Sequence, residues 1–181
     1  LCDDGNQVAG DGCSPQCTPN TGETCADPLV TAQAVQNGAQ YTWTVASGAV
    51  TAADGAWACD PNGTGPDVVV KYTKTSGTLA NGGMLLHVKA DTPSASTTTY
   101  YLDLEIKAGA CEAGSGASLK CDWYKDNWDS YLDVPAGDYW IWVAKNSAAT
   151  MAAPFPQVTV LAEEIAPAAA QGEGCFAPYT S

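Results

Sequence analysis

The chain has 181 residues, enough for one substantial hydrophobic core and a small appendage. Its 7 basic side chains are all Lys and stand against 20 Asp and Glu, for a formal net charge of -13 at pH 7. Such a surface repels phosphate backbones and anionic headgroups, which weighs against nucleic acid and membrane partners and makes divalent cations the natural counterions. Eight Cys beside a single His point to disulfides, because no Cys pair is followed by the second close-spaced pair that structural zinc needs. Disulfides imply a secreted chain in an extracellular or cell-surface setting, and no run of 18 apolar residues is present to insert in a membrane.

Residues 1–22 are turn chemistry with almost nothing to bury. Asp3, Asp4, Asn6 and Asp11 offer hard oxygen ligands, while Gly5, Gly10 and Gly12 permit turns that aim carbonyls inward. This set suits Ca2+, though the loop is no EF-hand, since Val8 stands where a third acidic ligand would follow. The competing reading is a set of Asx turns stapled by the cysteines.

From about residue 25 the pattern changes to short alternating runs split by Gly, Pro, Asn and Asp. Strands are expected over 40–45, 67–73, 84–90, 101–107, 130–135, 138–145 and 157–162. In 101–107, Leu102, Leu104 and Ile106 alternate with Asp103, Glu105 and Lys107, which predicts one wet face. The fold class expected is all-β: an antiparallel sandwich, jelly-roll or Ig-like, behind a small disulfide-rich, loop-rich module. Residues 1–22 form that module, 23–163 the sandwich, and 164–181 an Ala/Pro linker and tail.

Candidate chemistry is sparse. The segment 121–131 is expected as a loop that sets Asp122, Asp126 and Asp129 among Trp123, Tyr124, Trp128 and Tyr131. Aromatic rings beside carboxylates suit a polysaccharide or a protein interface, and the alternative is that two of the rings fill the core. His87 falls on the polar side of its strand and is expected to be exposed, with no second His to serve a nucleophile. Asp103 and Glu105 share a strand face about 6.6 Å apart, near the inverting-glycosidase spacing, but simple alternation also produces such a pair. No catalytic residue is assigned. Asn62 begins an Asn-Gly-Thr glycosylation triplet, and Thr97 and Thr98 lie in a Thr-rich stretch suited to O-linked sugar.

The segments 22–31 and 172–181 share Gly-Glu-x-Cys-x-x-Pro, which reads as an internal repeat with a second unit beginning near the chain's end. Both ends then look like cuts in a longer secreted protein, or the boundaries of a processed subunit. The stretch from Cys2 to Cys17 is similar to the myxococcus cysteine-rich repeat. Members of that family carry a further Cys upstream that is missing here. Residues 23–162 resemble the bacterial pre-peptidase C-terminal domain, on the strength of "GETCADP", "GPDVVVKYT", "CDWYKDN" and "VPAGDYWIWV". That resemblance implies a secreted accessory β-sandwich without catalytic residues of its own, and a Cys25–Cys59 bridge.

Cys111 and Cys121 flank a Gly/Ser-rich loop, and a bridge between them would contribute roughly 2–3 kcal/mol. Cys2, Cys13, Cys17 and Cys175 stay unassigned: either Cys175 pairs beyond this chain, or the tail folds back onto the opening module. The function expected is a non-catalytic, calcium-stabilised structural module of a filament or surface assembly, with a role in adhesion and neighbouring copies or domains as partners. The alternative is an accessory carbohydrate-binding or targeting module of a secreted hydrolase.

Overall fold

The computed structural model describes residues 20–31, 34–38, 40–50, 65–92, 102–112, 117–125, 127–145 and 157–167. Nine strands run through them: β1 (Val35–Asn37), β2 (Gln40–Val45), β3 (Asp67–Lys74), β4 (Leu85–Asp91), β5 (Leu102–Ala108), β6 (Ala117–Lys125), β7 (Asn127–Leu132), β8 (Gly137–Lys145) and β9 (Val158–Ile165). They form two sheets, ordered β1-β2-β9-β4-β7 and β3-β8-β5-β6.

Every ladder is antiparallel, and the pairs are nested: β2 with β9, β3 with β8, β4 with β7, β5 with β6. This nesting is the jelly-roll form of the sandwich. Alternate residues of the two inner faces build one core, in which Trp43, Val70, Leu86, Val88, Leu104, Ile106, Ile141 and Val160 pack together. Each such side chain contributes roughly 1.5–3 kcal/mol by leaving water. Trp128 of β7 crosses this core and donates its indole N–H to the Leu102 carbonyl at 3.3 Å.

The second sheet departs from the expected wet face. On β5, Asp103, Glu105 and Lys107 point away from the core, yet all three are buried. Lys107 donates to the carbonyls of Cys111 (3.2 Å) and Glu112 (2.8 Å). In the same sheet, the chain between Asn20 and Thr31 bonds to β3. Gly22 accepts from the Val69 amide at 2.8 Å, Leu29 donates to the Val69 carbonyl at 2.9 Å and accepts from the Lys71 amide at 2.7 Å. These bonds cap the free edge of β3. Gly22 has φ +82, and a Cβ there would meet Val68 Cγ2 at 2.7 Å, so only glycine fits that approach.

From this edge the segment carries Cys25 across the sheet to Cys111, just past β5, with Cα atoms 5.6 Å apart. Val69, Trp142 and Ala144 pack beneath the bridge as a second apolar cluster. Cys25 therefore bonds neither Cys59 nor a near neighbour, and Cys111 does not bond Cys121. Of the stretch between them, residues 117–120 are already part of strand β6. Cys121 is also disulfide-bonded, to a partner outside the described residues.

At one end of the sandwich Glu164 of β9 latches the turn after β3. Its carboxylate accepts from the Thr75 amide (2.7 Å), the Thr75 hydroxyl (2.8 Å) and the Ser76 amide (2.8 Å). Burial alone would raise its pKa; the bonds from Ser76 and Thr75 outweigh that and hold the carboxyl at about 2. Lys74, buried beside it, donates to the carbonyls of Ser76 and Gly77, and desolvation lowers its pKa. Strand β9 continues to Ile165, so Glu164 belongs to the sandwich rather than to a linker starting at 164.

Candidate functional site

The stretch expected as a loop over 121–131 is instead the meeting of two edge strands, β6 of one sheet and β7 of the other. Charged residues at alternate positions of β6 obscure a strand that has only one neighbour. Its ladder with β5 is broken twice. Leu102 and Leu104 face Lys125 and Asp122, and Ile106 and Lys107 face Lys120 and Ser118. Each step leaves an extra residue on β6, and those bulges carry Trp123 and Leu119, which are 58% and 38% exposed. Bulges re-aim side chains and spoil an edge for further pairing.

Between the two strands lies an open groove of about 470 Å³. Leu119 and Lys120 of β6 line it on one side, and Asp129, Ser130 and Tyr131 of β7 with Asp133 just after it on the other. Ser130 is 5% exposed, and its Oγ has no hydrogen-bond partner among the described residues. Lys120 pairs with Asp122 at 2.6 Å. Asp133 accepts from the Leu79 amide at 2.7 Å.

Behind Asp129 stands a cluster that includes His87. Register places His87 of β4 between Tyr131 of β7 and Glu163 of β9 on the outer face of the first sheet. Its Nδ1 lies 2.7 Å from Glu163 Oε1 and its Nε2 2.9 Å from Asp129 Oδ1. The ring stacks on Tyr131 with centroids 4.3 Å apart. Each ring nitrogen lies within hydrogen-bonding distance of a carboxylate oxygen. His87 is thus buried rather than exposed, because a flat tyrosine and two acids converge on it from the adjacent strands.

Of the residues singled out in 121–131, Asp122, Trp123 and Asp129 lie on this margin, while Trp128 is in the core. Asp126 and the side chain of Tyr124 lie outside the described residues. So do Asp3, Asp4, Asn6 and Asp11, the remaining cysteines Cys2, Cys13, Cys17, Cys59 and Cys175, and Asn62, Thr97 and Thr98. Among the described residues no group of three His, Cys, Asp or Glu is placed to hold a metal ion. Asp103 and Glu105 are each 1% exposed, so they do not form an accessible carboxylate pair. The groove residues Ser130 and Asp133 were not anticipated, and only the neighbouring aromatics hinted at them.

Fold and site together define a disulfide-strapped jelly-roll module with an open, acidic groove along one margin. No family model matches the chain, and no curated protein sequence does. Among solved structures it is similar to PliG, a periplasmic inhibitor of g-type lysozyme from Aeromonas hydrophila, at 13% identity and a TM-score of 0.44, over 76% of this chain and 96% of that one. It is also similar to the Yersinia pseudotuberculosis-derived mitogen, at 16% identity and a TM-score of 0.34, over 74% and 89% of the two chains. A CBM4 carbohydrate-binding module matches at 10% identity and a TM-score of 0.32, over 72% and 74%. Likeness at this level says nothing of ligand or partner, and the sandwich stands on its own strand pairing.

Proposed function

We propose that the chain is a non-catalytic structural module of an extracellular or cell-surface assembly, disulfide-linked and stabilised by Ca2+ in its opening loop. Its neighbours are further copies or domains of the same protein. The treatment of the sheet edges carries this reading. The β3 edge is capped by Gly22 and Leu29, and β6 is broken by bulges. β1 is left open among the described residues, with Val35 75% exposed. Three residues of open edge suit a short extended segment, and the terminal "CFAPYTS" (175–181) supplies one. A tail held on the β1 edge of the next copy is a heterologous contact, and such contacts generate open filaments.

Two further features agree. A bridge such as Cys25–Cys111 belongs to an oxidising compartment outside the cytosol. His87 has both ring nitrogens committed to carboxylates, which leaves it a poor partner for any nucleophile. Chemical cross-linking and mass spectrometry of the assembled chain tests the reading. Cross-links should join residues 175–181 of one copy to residues 34–38 of another; cross-links from the tail to its own sandwich alone would refute it.

The groove between β6 and β7 favours a second reading, an accessory binding module of a secreted hydrolase. An enzyme domain encoded in the same reading frame would support that one.

A further inference from the structure

We infer that the β1 edge takes the terminal segment of a second copy in one phase only, with the backbone groups of Ala177 on those of Gln36 and the nitrogen of Pro178 facing away. This rests on the tail-to-edge contact proposed above and names the residues that specify it. Asn37 and Gln40 pair across two residues as the closing pair of a hairpin, so they exchange both backbone bonds. Alternation then commits Val35 to Thr42 and turns the N–H and C=O of Gln36 outward. Among the described residues β1 is the outermost strand of its sheet, so these two groups face the open edge. Ala34, the next residue of that phase, spends its N–H on the Thr31 carbonyl at 3.2 Å. Gln36 is the centre of the edge.

The segment "CFAPYTS" (175–181) can meet that centre in only one of two phases. Pro178 has no backbone N–H, and proline enters an edge strand with its nitrogen turned away from the neighbouring strand. Backbone groups alternate along an extended chain, so turning Pro178 away also turns Phe176 away. Cys175, Ala177 and Tyr179 then face β1. Ala177 is the middle one of the three, and it brings one donor and one acceptor to the outward pair of Gln36. A slip of one residue would set a proline where the edge asks for an N–H.

The side chains agree with this phase. Gln36 shares a face with Tyr41: its Nε2 donates to the Tyr41 hydroxyl at 3.3 Å and to the Gly38 carbonyl at 2.9 Å. Tyr41 packs against the core and meets Tyr72 edge-on with centroids 5.9 Å apart. The small methyl group of Ala177 opposite Gln36 leaves those contacts in place. Val35 lies on the other face, 75% exposed, where Phe176 and Pro178 would flank it with apolar cover. No charged residue stands on β1, whereas β6 carries Lys120, Asp122 and Lys125. Charges are the usual guard of an edge against strand addition, and β1 lacks them. Once seated, the segment has an outer edge that Pro178 spoils, so addition stops after one strand and copies join end to end.

Fluorescence anisotropy of a labelled peptide with the sequence of residues 172–181, carrying Cys175→Ser to prevent thiol exchange, tests the inference against the full chain. The unmodified peptide should bind. N-methylation at Ala177 removes the donor that faces β1 and should weaken binding by about tenfold or more, the worth of a backbone bond. N-methylation at Phe176, whose nitrogen faces away, should change it by less than about twofold. Gln36→Pro in the full chain should also weaken binding by about tenfold or more, with little change in melting temperature, because that N–H serves no bond of the β1–β2 ladder. The two N-methylated peptides decide the matter on the wild-type chain even if Gln36→Pro unfolds. Absence of binding by the unmodified peptide would refute the contact between tail and edge, and this inference with it. Binding that is equally sensitive to both N-methylations, more sensitive at Phe176, or unchanged in a folded Gln36→Pro chain would overturn the phase alone.

Discussion

Cys25 and Cys111, 86 residues apart in sequence, are joined over the outer face of the β3-β8-β5-β6 sheet, with Trp142 packed beneath. A cross-link of that span removes far more freedom from the unfolded chain than a local one. On the chain-entropy model it contributes roughly 4–5 kcal/mol. Cys25→Ser with Cys111→Ser should lower stability by an amount of that order, measured as the guanidinium midpoint of the double variant against wild type. A loss below about 1 kcal/mol would mean that the strap covers the sheet without stabilising it.

Acid should weaken the latch at Glu164. Its carboxyl is held at about 2, below its ordinary 4.5, so its contribution is fully present above pH 4.5 and is lost as pH falls through 2. Glu164→Gln keeps the shape but not the charge. It should cost roughly 1–2 kcal/mol at pH 7, discounted for the part of the group that water reaches. The penalty should shrink toward zero near pH 2. Urea melts at pH 7, 4 and 2.5 would show this; a penalty that does not change with pH contradicts the latch.

His87→Ala should destabilise the sandwich by roughly 1–3 kcal/mol, because it leaves Asp129 and Glu163 facing each other without the ring between them. The same variant tests for catalysis. Peptide, ester and glycoside substrates should give background rates with the wild-type chain, and a rate abolished by His87→Ala would overturn the non-catalytic reading.

Calcium should bind the opening loop. Titration calorimetry should show a saturable heat that Asp4→Ala and Asp11→Ala reduce at least tenfold in affinity, since each removes a charged oxygen ligand. Equal heats in all three proteins would leave the Asx-turn reading in its place.

Much of this architecture was legible in the residues, and the failures have identifiable causes. Alternation in "QYTWTV" marked β2 to the residue, because one of its faces is core and the other largely solvent. The second sheet misled because Asp103, Glu105 and Lys107 are polar yet covered. The warning was present in "VVV" (68–70) and "WIWVA" (140–144), continuous apolar runs that belong to strands buried on both faces. β6 escaped notice since two bulges shift its alternation at Leu119 and Trp123. The Cys25–Cys111 bond and the His87 cluster depend on strands distant in sequence, and spacing along the chain carries no signal for either.

Sedimentation velocity of the full chain tests the assembly claim most directly, run across concentrations with wild type beside Val35→Asp and Phe176→Ala. Val35 is exposed on the open edge of β1, so a charge there should block strand addition while leaving the core intact. Wild type should form oligomers that grow with concentration, and both variants should sediment as monomers. A wild-type chain that stays monomeric throughout, or variants that associate as it does, would contradict the proposal that copies join through the tail and the β1 edge.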